Sequence, residues 1–105
     1  MKIVTVENEL EFNNLKSVYK TIYLQFSATW CGPCTLITPL VKEHVKDLNL
    51  VDSVYVYCDI DEFDTIAEHL QINVIPSFCK YDVLTDSYSS IIQSSDINEV
   101  KKLFN

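Results

Sequence analysis

The chain has 105 residues, 48% of them hydrophobic, with 15 acidic side chains against 8 lysines and a net charge of −7. That length predicts one domain over residues 1–105, able to bury roughly two-thirds of its unfolded surface. The acidic balance argues against nucleic-acid binding, which needs clustered cations to neutralise phosphate, and no apolar run nears the ~20 residues of a membrane span.

Lys2–Val6 reads as a first strand. Asn8 followed by Glu11 three residues later resembles a capping box, and Phe12, Leu15 and Tyr19 then fall at helical spacing, which predicts a helix over about 8–19. Thr21–Ser27 is apolar on both faces, as a central strand should be. The motif Trp30-Cys31-Gly32-Pro33-Cys34 opens a second helix running to about Leu48, with Ile37, Leu40, Val41, Val45 and Leu48 as its buried stripe. Ser53–Asp59 is a third strand, and Phe63, Ile66, Ala67 and Leu70 mark a third helix. Strand four follows Pro76 over 77–82 and strand five covers about 86–92. Ser95 caps a last helix carrying Ile97, Val100, Leu103 and Phe104. Pattern alone gives an α/β class.

Two cysteines separated by two residues can close a disulfide within one helical turn. At a helix start, unpaired N–H groups and the positive end of the dipole stabilise a thiolate. A cysteine so placed titrates near neutrality rather than at ~8.5 and becomes a nucleophile. A four-residue loop removes little chain entropy, so a purely stabilising bridge is a poor explanation of the pair. Four cysteines in a chain with no hydrophobic leader near Met1–Glu7 point to a reducing compartment and a catalytic pair rather than a disulfide scaffold. Cytoplasmic location is expected.

With Trp30-Cys31-Gly32-Pro33-Cys34, Ile75-Pro76 before a strand, and Pro39 five residues past Cys34, the chain resembles the thioredoxin family over its whole length. The resemblance implies a thioredoxin fold: a central mixed five-stranded sheet flanked by four helices, in the order βαβαβαββα. It implies a protein-disulfide reductase acting by dithiol–disulfide exchange, with Cys31 as nucleophile and Cys34 as resolving cysteine of a redox-active disulfide. Trp30 would shelter the site and contact substrate, while Gly32 and Pro33 fix the turn. Ile75 and Pro76 would supply a cis peptide bond facing the disulfide and backbone groups for an extended substrate. No cofactor or metal is implied. The partners implied are protein disulfides, an NADPH-dependent flavin reductase and peroxiredoxin-type acceptors, and a monomer is expected. An interaction module or assembly subunit on the same fold, with little turnover, is the competing reading.

Several positions depart from the family pattern. A buried Asp on strand two is here Gln25, and a neighbouring Lys on strand three is Tyr57. Both have become neutral, which avoids one unpaired core charge. The pair is expected to meet, amide to hydroxyl, directly or through water. The basic residue after the second cysteine is Thr35, and the chain has one glycine, Gly32, so the segments 82–85 and 92–94 must turn without any. Cys58 and Cys79 read as small buried hydrophobes. His44 and His69 read as solvated, and Asp59, Asp61, Glu62, Asp64 and Glu68 as capping the third helix.

Overall fold

The computed structural model describes residues 1–105. Strands β1 (Lys2–Val6), β2 (Thr21–Ser27), β3 (Ser53–Asp59), β4 (Ser77–Asp82), β5 (Ser87–Tyr88) and β6 (Ile92–Gln93) form one sheet. Helices α1 (Glu9–Val18), α2 (Gly32–Lys46), α3 (Thr65–His69) and α4 (Ile97–Val100) flank it, and a 3₁₀ turn at Lys101–Phe104 closes the chain. The strand order is β1-β3-β2-β4-β5, with β6 also on β4. β1, β3 and β2 run parallel, and β4 is antiparallel to β2, β5 and β6. This is the α/β arrangement the resemblance implied. β2 lies in the middle, and Ile22 to Ser27 are buried on both faces as its continuous apolar run requires.

Alternation along the strands divides the core. Ile22, Leu24, Phe26, Val56 and Cys58 pack against Phe12 of α1 and Ile66 of α3. Tyr23, Tyr55 and Phe78 pack on the opposite face against Ile37, Val41 and Val45 of α2 and Phe104. That second face anchors α2, and with it the cysteine motif at its first turn.

The predicted fifth strand is two short pieces. Tyr81 pairs with Tyr88 and Phe78 with Ile92, so three steps on β4 face four on the other chain segment. The extra residue is a bulge. Ser89 holds it: its N–H donates to Lys80 O, and its Oγ accepts the Lys80 N–H, both at 2.8 Å. With glycine absent from these loops, left-handed backbone falls to Asp52 (φ 54°), Gln71 (φ 57°) and Asp86 (φ 49°).

Helix ends differ from expectation in detail. Asn8 caps α1 as expected, its Oδ1 accepting the Glu11 N–H at 2.9 Å. Asp96, not Ser95, caps α4, accepting the Asn98 N–H at 2.9 Å. The acidic group does not cap α3 through a side chain: Asp64 occupies the N-cap position in a helical backbone conformation with no such bond. Asp59 Oδ1 instead accepts the Asp61 N–H at 2.9 Å, inside the preceding turn. Leu40, placed in the buried stripe of α2 by its spacing, faces outward. His44 is half-buried against the Phe104 ring, 5.8 Å between centroids, rather than fully solvated.

Candidate active site

β2 ends at Ser27, and Ala28 to Trp30 carry the chain to the first turn of α2. Cys31 is the N-cap of that 15-residue helix, with Pro33 in the first turn, where its missing N–H costs nothing. The Cys31 sulfur accepts the Cys34 N–H at 3.2 Å. A sulfur at this place feels both an unpaired helix donor and the positive end of the dipole. Cys31 and Cys34 are joined by a disulfide, their Cα atoms 5.2 Å apart. Cys31 retains 6% exposure and Cys34 1%, so the first sulfur is the approachable one.

Ala28 and the two cysteines form a small cluster with Ile60 and Ile75 packed on it. The Ile75–Pro76 bond is cis, and Cys31 Sγ lies 4.0 Å from the Ile75 carbonyl oxygen. A groove of about 390 Å³ between Pro33 and Ser95 is floored by Ile75 and Pro76. Gly32 has no positive φ, and a Cβ placed there would meet no heavy atom within 4 Å. Its own packing therefore does not demand glycine, and the space beside Cys31 stays open.

Trp30 is 67% exposed, yet its indole is fixed, Nε1 donating to Asp61 Oδ2 at 2.7 Å. Asp61 was absent from the sequence-derived site. Its position two residues past β3, beside the cysteine-bearing end of β2 in a parallel pair, was the available signal.

Gln25 and Tyr57 are register partners on adjacent strands and share the α2 face of the sheet. The expected direct bond between them does not form. The Gln25 amide, fully buried, accepts from the Tyr55 hydroxyl through Oε1. Its Nε2 donates to Ser27 Oγ and Thr38 Oγ1, both at 2.8 Å. Both amide hydrogens are thus used, and the neighbouring helix and Tyr55 supply what Tyr57 was expected to supply. Thr38 Oγ1 in turn donates to the Cys34 carbonyl at 2.6 Å, so the network ends on the Cys34 backbone. Tyr57 is half-buried and turns toward Lys42, whose Nζ lies 5.7 Å from its ring centre. Tyr57 and Lys42 line a polar cleft of about 690 Å³ on the flank of α2 opposite Pro33 and Leu36.

Cys58 and Cys79 are free and completely buried in the sheet core, and burial pushes both thiols up to about 12. They are not brought to the Cys31–Cys34 pair. His44 and His69 also lie away from it, against Phe104 and Tyr88 respectively. The acidic residues after β3 do not gather into a set of metal ligands.

Comparison with known proteins agrees with this geometry. The thioredoxin family model matches residues 2–102. A thioredoxin from Mycoplasmoides gallisepticum is 30% identical over 104 residues, which cover 97% of this chain and 100% of that one. Thioredoxin H2 of Arabidopsis thaliana is 36% identical over 70 residues, 67% of this chain and 51% of that protein, so the match spans about half its length. A chain solved in work on the thiol resolving mechanism of a yeast mitochondrial 1-Cys peroxiredoxin via glutathione/thioredoxin systems superposes with a TM-score of 0.77. It is 26% identical, with 95% of this chain and 91% of that one covered.

Proposed function

The chain belongs to the thioredoxin family, and from that premise we propose that it is a protein-disulfide reductase in which Cys31 attacks and Cys34 resolves. Thioredoxins are thiol–disulfide oxidoreductases acting on protein disulfides, and the adjacent Cys31–Cys34 pair fits that chemistry. One observation supports the assigned roles most directly. The Cys31 sulfur sits at the N-cap of α2, accepts a helix N–H and is the more exposed of the two.

In the reduced protein, the Cys31 thiolate attacks one sulfur of a substrate disulfide. A Cys31–substrate disulfide forms, and the other substrate sulfur leaves as a thiolate that takes up a proton. Cys34 loses its proton and attacks Cys31 Sγ, expelling the second substrate thiolate. Two electrons have passed to the substrate, and the Cys31–Cys34 disulfide remains. By the family resemblance, Gln25 stands where a buried Asp would help take the Cys34 proton, and an amide cannot. Tyr57 beside it is neutral as well.

Trp30, Gly32 and Pro33 form the approach to the nucleophile, and the Ile75 backbone offers hydrogen-bonding groups to an extended substrate segment. The exchange requires no bound cofactor. Two electrons must return to the pair after each cycle, and an NADPH-dependent flavin reductase is the partner class that delivers them. Peroxiredoxin-type proteins are the acceptors we favour, in line with the solved relative above. The two free core thiols suit a reducing compartment such as the cytoplasm. No helix is long and apolar enough to cross a membrane. A single domain acting as a monomer suffices for the reaction.

Reduction of insulin disulfides with dithiothreitol as electron source tests the proposal. The chain should accelerate precipitation of the insulin B chain, and Cys31→Ser should not. Coincident curves would turn the reading toward an interaction module.

A further inference from the structure

Gln25 stands in a chain of hydrogen bonds that all point one way. The Tyr55 hydroxyl donates to Gln25 Oε1, Gln25 Nε2 donates to Thr38 Oγ1 at 2.8 Å, and Thr38 Oγ1 donates to the Cys34 carbonyl at 2.6 Å. The direction follows from the available hydrogens. The second Nε2 hydrogen goes to Ser27 Oγ at 2.8 Å. Turned over, the amide would aim two N–H groups at the one Tyr55 hydroxyl and leave one of them unpaired at a fully buried site. With its oxygen accepting from Gln25, the Thr38 hydroxyl has a single hydrogen to give, and the Cys34 carbonyl receives it.

Threonine hydroxyls in helices often bond back to a carbonyl four residues earlier. Thr35 does so one turn before, its Oγ1 donating to the Cys31 carbonyl at 3.0 Å, but Thr35 lies at the surface. Thr38 is half-buried and has the Gln25 amide behind it. In a one-way chain each donor polarises the next, so the O–H on the Cys34 carbonyl is strengthened.

We propose that Thr38 is a positioning residue for the resolving step: fed by Gln25, its hydroxyl draws charge from the Cys34 carbonyl and thereby supports the Cys34 thiolate. The inference rests on the reductase reading and deepens it, since a chain of donors then serves where the family resemblance places a proton acceptor.

A cysteine's carbonyl oxygen is separated from its sulfur only by Cβ, Cα and the carbonyl carbon. The negative end of that dipole opposes a thiolate, and a hydrogen bond to the oxygen offsets the opposition. In the mixed disulfide, the Cys34 S–H ionises and its proton passes to solvent. The thiolate attacks Cys31 Sγ, the Cys31–substrate bond breaks, and its electron pair leaves on the substrate thiolate, which takes up a proton. Thr38 acts on the ionisation alone.

The groups packed directly on the two cysteines, Ala28, Ile60 and Ile75, carry no charge. The titratable groups on the Thr38 flank of α2 are Glu7, Lys42, Tyr57, Asp59 and Glu62, which line the polar cleft, and Tyr55 behind Gln25. Exchanging a hydroxyl for a methyl at residue 38 changes none of them.

The test mixes the reduced protein with one equivalent of 5,5′-dithiobis(2-nitrobenzoate) in a stopped-flow spectrometer. Attack by Cys31 releases the first thionitrobenzoate and resolution by Cys34 the second, so the two steps appear as separate phases. In Thr38→Val the second phase should slow about threefold near pH 7 and reach its plateau at higher pH, with the first phase unchanged. Thr38→Ser should restore both the rate and the pH profile. Thr35→Val, which removes a similar bond one turn earlier, should leave the second phase alone. Thr38→Ala replaces Thr38→Val if valine alters the circular dichroism spectrum.

A second phase with the same rate and pH profile in Thr38→Val as in the wild type overturns the inference and leaves the reductase reading intact. So does a Thr38→Ser protein as slow as Thr38→Val, or equal slowing by Thr35→Val, because either marks a loosened helix. A wild type that lacks either phase removes the reductase reading, and the inference with it.

Discussion

The Trp30 indole donates to the Asp61 carboxylate at 2.7 Å across the mouth of the site, joining the residue before the nucleophile to the loop after β3. Asp61 is itself held, since its N–H donates to Asp59 Oδ1 at 2.9 Å. One polar contact therefore holds the indole of a large, two-thirds exposed aromatic. Trp30 is the only tryptophan in the chain, which makes its motion directly readable.

Asp61→Ala should release the indole. Tryptophan fluorescence anisotropy should fall, while stability changes by less than about 1 kcal/mol because the bond is exposed. Reduction of a disulfide peptide should slow a few-fold as the mouth loses its shape. Unchanged anisotropy would show that neighbouring side chains, rather than the carboxylate, hold the ring.

Cys34→Ser should leave Cys31 able to attack but remove the thiol that displaces the bound substrate, so mixed disulfides with substrate proteins accumulate. Cys31→Ser should trap nothing. The check is non-reducing electrophoresis after mixing with a disulfide-containing protein, with alkylation of Cys31 confirming that its thiol is free. A Cys34→Ser protein that alkylates but captures nothing contradicts the division of roles.

Much of this architecture was legible because each element carried its own signal. β2 read as central from its unbroken apolar run, and α2 was located by a motif whose residues are dictated by helix-start chemistry. What was not legible depended on tertiary partners. Spacing alone could not show that Leu40 faces outward, because the stripe of a helix is wider than the surface its neighbours cover. The bulge at Ser89 follows from a hydroxyl competing for the Lys80 N–H, which no alternation pattern records. The Gln25 contact went to Tyr55 and Thr38 because side-chain reach, not strand register, chooses among several nearby hydroxyls.

Cys58 and Cys79 should make the protein sensitive to alkali before its tyrosines do. Burial raises both thiols from about 9.0 to about 12, so between those values the folded state keeps protons that the unfolded chain has lost. Stability is then whole below pH 9 and falls as pH rises, with a slope of about 1.4 kcal/mol per pH unit for each thiol. Tyr55, Tyr81 and Tyr88, also raised by burial, add their own loss only above pH 10. Urea unfolding of the oxidised protein between pH 8 and 10 should show the decline, and Cys58→Ala/Cys79→Ala should flatten it. An equal slope in the variant would place the alkaline loss elsewhere.

Gln71→Gly should stabilise the protein. Gln71 follows α3 with φ 57°, its N–H donating to Glu68 O and the next N–H, of Ile72, donating to Ala67 O. That pattern is a Schellman motif, in which glycine is the favoured residue at this place. Relieving the left-handed side chain gains about 1–2 kcal/mol, and the added freedom of the unfolded chain returns about 0.5–1. The balance favours the variant by roughly 0.5–1 kcal/mol, a rise of a few degrees in Tm by calorimetry. A lower Tm would mean that the Gln71 side chain makes a contribution larger than its backbone strain.

Gln25→Asp should trade stability for speed. The shorter carboxylate would leave Ser27 and Thr38 without the donor they now accept from, and Thr38 cannot turn toward it without releasing the Cys34 carbonyl. A fully buried carboxyl with such partners should cost about 2–4 kcal/mol near neutral pH. Burial would raise its pKa above the unfolded value of about 3.9. The unfolded state would then shed its proton first, so the deficit against wild type grows as pH rises above about 4. The same group supplies what the wild type lacks, a carboxylate on the α2 face of β2, where the family resemblance places a proton acceptor. In stopped-flow single turnovers near pH 7, release of the second substrate thiol should quicken by about tenfold, with the initial attack by Cys31 little changed. If both phases keep their wild-type rates while urea melts show the destabilised carboxyl in place, the proton leaves Cys34 by a path that does not pass Gln25.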